Sequence, residues 1–340
     1  MITKLLIAFL FLVCLFMSFV TNTTVTRSQK LLLFTLGLLM VIISTFRPDS
    51  MPDYANYYEA FIHRRSIDGA RFEPAFHIIR VMSFGVPIIG FMMFAIISIG
   101  TRITLISKMS PLIWGSMAIY MAFIFILHDM IQIRAAVASS LFFLAIPYIY
   151  ERNLKKYALI IFIAMLFHYS AAIFLPLWFL KPDRANKNAY IALLGISYAM
   201  AMVNISLTKI FAVIPFAPTQ MLYASYVAKI DEYVNLFNTL QLGRCVLCIL
   251  FWIFVDTVQD KYKLFIILLK KYTISLCTLP LFADVVTIAV RLSQMMLVVE
   301  ILLVPAGLYF IIKQKGLAKA LTGFYALLLF AYSITNPLYW

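Results

Sequence analysis

YALIIFIAMLFHYSAAIFLPLWFL, residues Tyr157–Leu180, decides how this chain is threaded. Its length suits one membrane crossing, because an apolar layer of about 30 Å takes about 20 helical residues. Yet basic clusters stand at both ends, Arg152, Lys155 and Lys156 before it and Lys181, Arg184 and Lys187 after it. A single span would put one cluster on the face where basic residues are normally scarce. A hairpin turning near His168 would leave both on one face, and irregular backbone is tolerated at membrane depth where it lines a cavity. We favour the hairpin, with the single span as the alternative.

Outward from this stretch the chain stays apolar. Of its 340 residues 64% are hydrophobic and 12% charged, against about 45–50% and about 25% in soluble domains. No polar interval is long enough for a separate soluble domain. The sequence therefore reads as an all-α polytopic integral membrane protein, a single transmembrane domain over residues 1–340, with about ten transmembrane helices plus the re-entrant hairpin. Leu5–Val20 is read as the first span, not a signal peptide, since no small-residue cleavage site follows and further apolar runs come at once. Two longer polar intervals, about 47–77 and 211–242, are expected to be outer-face loops.

The net charge of +14 would indicate nucleic acid in a soluble protein, but here its distribution follows topology. With the hairpin in place, most basic residues collect on one face, among them Arg27, Lys30, Arg102, Lys108, Lys155, Lys181, Lys261, Lys270, Lys271 and Lys315. The positive-inside rule makes that face cytoplasmic and puts both termini outside. No nucleic-acid partner is expected. Lys261–Lys271 reads as an interfacial amphipathic piece, followed by a span over about Tyr272–Ala289. Cys14, Cys245, Cys248 and Cys277 all lie in apolar segments, where a free cysteine packs as a small hydrophobe.

The same sorting gathers a second set of residues at the outer side. His128-Asp129-Met130-Ile131-Gln132-Ile133-Arg134 opens a run whose charges are costly at membrane depth, and such residues are functional candidates. His128 and Asp129 are expected at the outer surface, positioning a helix end. Arg47, Arg134, Arg244 and Arg291 suit bidentate phosphate recognition. Asp53, Glu73 and His168 are candidate acid–base groups, with solvated loop acids and a satisfied buried histidine as the plain alternatives, and Tyr54, Tyr57 and Tyr58 belong to a loop where sugars or head groups could dock. In a continuous helix Asp284, Thr287 and Arg291 would share a face, so a structural Asp284–Arg291 contact is the plain alternative for that arginine. The scattered His63, His77, His128 and His168 show no metal-ligand spacing, so neither metal nor cofactor is expected.

Taken in order, Arg47 with Asp53-Tyr54-Ala55-Asn56-Tyr57-Tyr58, Glu73-Pro74-Ala75-Phe76, Ile133-Arg134, Phe167-His168-Tyr169-Ser170 and Ala289-Val290-Arg291-Leu292-Ser293 resemble the EpsG family of Wzy-like polysaccharide polymerases. The resemblance runs from about residue 44 to residue 310. It departs where Met51-Pro52 replaces a more familiar Gly-Thr pair, so the backbone there is expected to differ. The resemblance implies a GT-C-like architecture in the bacterial inner membrane with the active site facing the periplasm or cell exterior. It implies a metal-independent glycosyltransferase that joins undecaprenyl-pyrophosphate-linked oligosaccharides, with a chain-length regulator as a partner. The product would be O-antigen, capsule or exopolysaccharide.

Two other classes compete. A flippase for the same lipid-linked glycans would also need an arginine-lined cavity, but no internal repeat is visible in the sequence. A membrane O-acyltransferase would need His168, not the arginines, to dominate.

Overall fold

The computed structural model describes residues 2–21, 26–63, 72–183, 186–209 and 234–340. Arg64, Arg65, Asp68 and Arg71 of the first expected loop, most of the second (211–233, with Asp231 and Glu232) and Arg184 lie outside the described residues. Every regular element described is helical. The chain divides into two compact units, Met1–Phe179 with Ile301–Trp340, and Leu180–Glu300.

The first unit holds α1 (Ile2–Val20), α2 (Arg27–Thr45), α3 (Tyr54–His63), α4 (Pro74–Met82), α5 (Pro87–Met109), α6 (Ile113–Ile131), α7 (Ile133–Tyr150) and α8 (Leu154–Phe167). The second holds α9 (Lys187–Met202), α10 (Thr239–Ile253), α11 (Val255–Gln259), α12 (Phe265–Leu281) and α13 (Val286–Met296). After α14 (Glu300–Ile311), α15 (Lys315–Thr335) closes the chain. Seven described helices are long and apolar enough to cross a membrane: α1, α2, α5, α6, α7, the stretch Val286–Ile311 and α15. These lengths and compositions fit a multi-pass membrane protein.

Tyr157–Leu180 folds back on itself. α8 ends at Phe167, His168 takes an extended conformation (φ −157°, ψ 115°), and Tyr169–Phe179 follows as a 3₁₀ helix. The Tyr157 hydroxyl donates to the Phe174 carbonyl, and the Tyr157 ring lies 5.5 Å from Trp178. Arg152 donates to the Trp178 carbonyl at 3.0 Å and sits 4.3 Å over its ring. On one straight helix such partners would stand about 25–40 Å apart, so the contacts require a turn at His168. Phe142 of α7 then stacks on Phe174 at 3.7 Å, holding the returning arm.

Four expectations are corrected. α5 continues to Met109, so Arg102, expected on the cytoplasmic face, lies within the helix and is fully buried. His128 and Asp129, expected at the outer surface, are likewise buried, because Arg102 supplies the charge that lets Asp129 stay there. Lys270 and Lys271 lie not in an interfacial piece but inside α12, both buried, with Lys270 Nζ donating to the Lys181 and Asp183 carbonyls at 2.6 and 3.0 Å. The expected span Tyr272–Ala289 is interrupted between Leu281 and Val286, which leaves Asp284 in a turn.

An aromatic core joins α3, α4, α5 and α7 through Tyr57, Phe61, Phe76, Phe91, Phe94, Ile133 and Val137. Its closest approach depends on Gly90, where an added Cβ would stand 2.2 Å from the Phe61 ring. Gly90→Val is expected to displace Phe61 and destabilise the first unit by about 1–3 kcal/mol, read as a lower unfolding temperature in detergent. For the hairpin, single cysteines replacing Lys155 and Lys181, both exposed, should label with an impermeant thiol reagent from the same side of the membrane. Labelling from opposite sides would restore the single span.

Candidate active site around Glu73

Glu73 stands at the N-cap of α4, before Pro74 at the first helical position. A carboxylate at that position ordinarily accepts the helix's own free N–H groups, which contributes about 1 kcal/mol. Glu73 makes no such bond. Its carboxylate is directed instead toward three donors from elsewhere in the first unit. Arg134, on the first turn of α7, pairs with Oε2. His168 Nδ1 lies 2.9 Å from Oε1, and the Tyr169 backbone N–H donates to the same oxygen at 3.3 Å.

The elements explain this convergence. The break after α8 exposes the Tyr169 N–H and turns the His168 ring toward Glu73, while Phe167 packs edge-on against Phe94 at 6.1 Å. The Arg134 guanidinium lies 4.7 Å over the Phe72 ring and 5.6 Å over that of Tyr57, so aromatic faces hold it flat. Ala135, Ala136 and Ala138 follow on α7, all buried, as the small residues in the sequence anticipate.

Exposure is graded across the cluster. The Glu73 side chain is 3% exposed, that of His168 16% and that of Arg134 19%. Burial pushes the Glu73 carboxyl up, but the hydrogen bond from His168 and the charge of Arg134 outweigh it and hold the group below the usual carboxylate range. With an ionised carboxylate as acceptor, the imidazole proton belongs on Nδ1, which leaves Nε2 as a lone-pair acceptor. An imidazole held in one tautomer by a carboxylate can remove a proton from a hydroxyl, and an arginine beside it can stabilise an anion nearby.

The other residues expected at the site are placed differently. Asp53 precedes α3 with φ 62°, a left-handed conformation that aspartate tolerates better than most residues, and its carboxylate makes no hydrogen bond or ion pair among the described residues. Tyr57 is buried in the wall beneath Arg134, Tyr54 stacks on Tyr58 at 5.8 Å, and Tyr58 is exposed. Arg47 is buried, donates to the Met130 carbonyl at 2.7 Å and lies 4.6 Å over Phe91. In the second unit Arg244 forms a buried two-point pair with Glu300, Nε to Oε1 at 3.0 Å and Nη2 to Oε2 at 2.9 Å, with the Tyr272 hydroxyl donating to Glu300 at 3.1 Å. Arg291 is exposed on α13 and makes no hydrogen bond or ion pair with Asp284, whose carboxylate accepts from the Ser206 and Thr208 hydroxyls. Among the described residues no three His, Cys, Asp or Glu side chains are grouped to hold a metal ion. Phe72 and the Tyr169 N–H escape a sequence reading, because neither residue type nor spacing marks a ring or a backbone donor as part of a site.

The sequence profile of the EpsG family matches residues 30–339. No curated protein and no solved structure matches the chain.

Because the folded carboxyl of Glu73 is held below its unfolded value, its contribution to stability is present above the unfolded carboxylate pKa and is lost as pH falls through the folded one. Glu73→Gln is expected to flatten that acid limb of an unfolding-temperature profile measured in detergent between neutral and acidic pH. An unchanged slope would show that the carboxylate has no such coupling.

Proposed function

The chain belongs to the EpsG family, which is associated with exopolysaccharide biosynthesis, and on that basis we propose that it is a polysaccharide repeat-unit polymerase. It is a metal-independent glycosyltransferase that moves a growing glycan from undecaprenyl pyrophosphate to the non-reducing end of the next lipid-linked unit. It works at the outer face of the bacterial inner membrane. The observation that carries this reading is the Glu73 carboxylate shared between Arg134 and His168.

In the reaction, the acceptor hydroxyl gives its proton to His168 Nε2 as its oxygen bonds to the anomeric carbon of the growing chain. The anomeric carbon–oxygen bond to pyrophosphate breaks, and the electron pair leaves with the diphosphate. Glu73 holds His168 in the tautomer that accepts the proton and stabilises the imidazolium that forms. Arg134, oriented by Glu73 and the Phe72 and Tyr57 rings, meets the charge developing on the leaving group. Exposed Tyr58, with Tyr54 stacked behind it, offers a ring face to a sugar. Arg291, in the second unit, is exposed on α13. Asp53 is the competing base.

In a strain lacking the native gene, Arg134→Ala, His168→Ala and Glu73→Gln are each expected to lower polymer output by about a hundredfold or more, leaving single repeat units on the surface. Asp53→Asn should keep most of the polymer. Normal chain lengths from a stably inserted Arg134→Ala protein would overturn the site, and an active His168→Ala beside an inactive Asp53→Asn would move the base to Asp53. Loss of all surface glycan, single units included, would favour a flippase.

A further inference from the structure

The first unit buries a second charged group that the proposed transfer does not use. The Arg102 and Asp129 side chains are both 0% exposed, with Nη1 and Oδ2 2.7 Å apart. Asp129 also accepts from the Ser98 hydroxyl at 2.5 Å and the Tyr120 hydroxyl at 2.8 Å. On its other side Arg102 Nη2 donates to the Ala136 carbonyl at 3.0 Å and the Ser139 hydroxyl at 2.7 Å. Ser139 in turn lies 3.1 Å from His128 Nδ1. The backbone of the same corner is tied down as well, Ser44 donating to the Asp129 carbonyl at 2.6 Å and Arg47 to that of Met130 at 2.7 Å.

These bonds straddle one joint. α6 ends at Ile131, Gln132 breaks the helix (φ −96°, ψ 62°), and α7 starts at Ile133 with Arg134 next. Arg102 grips Asp129 before the joint and Ala136 and Ser139 after it. A guanidinium is a rigid planar fork, so acceptors on its two prongs are held at a set angle. An apolar pair would hold the helices together as well, since desolvating two ions costs more than burying aliphatic side chains. Apolar contacts would not supply the direction.

We propose that Arg102 and Asp129 are positioning residues that fix the angle between α6 and α7 at Gln132 and thereby aim Arg134 at Glu73. Neither touches the substrate. This rests on the polymerase reading for its activity readout, and the variants below separate the two.

The double variant Arg102→Met/Asp129→Leu removes both charges at once and leaves neither ion stranded. It is expected to insert and to melt close to the wild type, while the polymerisation rate in purified, lipid-reconstituted protein falls by about a hundredfold, the usual effect of about 1 Å of misplacement. The acid limb of its pH–rate profile should move to higher pH. Glu73 must stay ionised to hold His168 as the base; it is faced by Arg134 from α7 and by His168 and the Tyr169 N–H from the hairpin, and it would lose part of the first. A purely structural role would not move that limb. Ser139→Ala and Tyr120→Phe remove one hydrogen bond each and no charge; they should show smaller shifts in the same direction, and they decide the matter if the double variant does not fold. A wild-type rate and profile in these variants, with Arg134→Ala inactive, overturns the positioning role. An active Arg134→Ala overturns the site itself.

Discussion

A carboxylate shut away from water must find every hydrogen-bond donor inside the protein, and Asp129 dictates who supplies them in the first unit. Ser98 and Arg102 come from successive turns of α5. Tyr120 comes from the same helix as Asp129, nine residues earlier. On an α-helix that separation is about two and a half turns, which points the two side chains in opposite directions. The winding of α6 answers the difficulty: from Tyr120 to Ile131 the helix is π-wound, ending on a bond from Gln132 N–H to the Leu127 carbonyl, and the wider turns bring both onto one side. π-helix is rare beyond a single turn. Here it satisfies an ion that would otherwise lie buried and under-bonded, at a cost above that of a few poorer backbone bonds.

Asp129 and Glu73 are built from the same materials to different ends. Each pairs with an arginine and accepts further hydrogen bonds from neighbouring groups. Around Asp129 both members of the ion pair are sealed, and substrate has no route to them. Around Glu73 the carboxylate is sealed but its two charged or titratable partners are each part-exposed. A buried carboxylate gripping two partly exposed groups fixes them without blocking their outer edges. In the proposed reaction that division of labour, with the orienting group inside and the acting groups at the rim, would let a preorganised site keep its geometry when substrate arrives.

The hairpin was legible as the favoured of two readings, because a reversal leaves both basic clusters on one face and a single span does not. Glu73, Arg134 and His168 were legible as costly or motif-borne residues, though their mutual contact was not, since they are separated by 61 and 95 positions. Arg102 was misplaced for a physical reason. A charged residue near the end of an apolar run looks like its boundary, and only the distant Asp129 reveals that the helix continues past it. Lys270 was misplaced in the same way, its acceptors being loop carbonyls that leave no mark on sequence. Asp284 appeared to share a face with Arg291 only on the assumption of continuous helix. The turn between α12 and α13 removes that assumption, and Ser206 and Thr208 take the carboxylate.

Arginines that look equivalent in sequence separate once their donors are traced. To take a phosphate, Arg244 would have to release Glu300, leaving a buried carboxylate without its charge partner at a cost of about 3–5 kcal/mol. Arg47 would have to leave the Met130 carbonyl and the Phe91 face that cover it. Arg134 faces neither demand, since its bond to Glu73 occupies one prong and the group is already partly open to solvent. Recognition of a diphosphate favours donors that are held in place but not already satisfied, because any bond broken on binding is subtracted from the affinity. By that measure Arg134 is, among the described arginines of the first unit, the one best prepared to meet an anion, and the aromatic rings around it hold it in place.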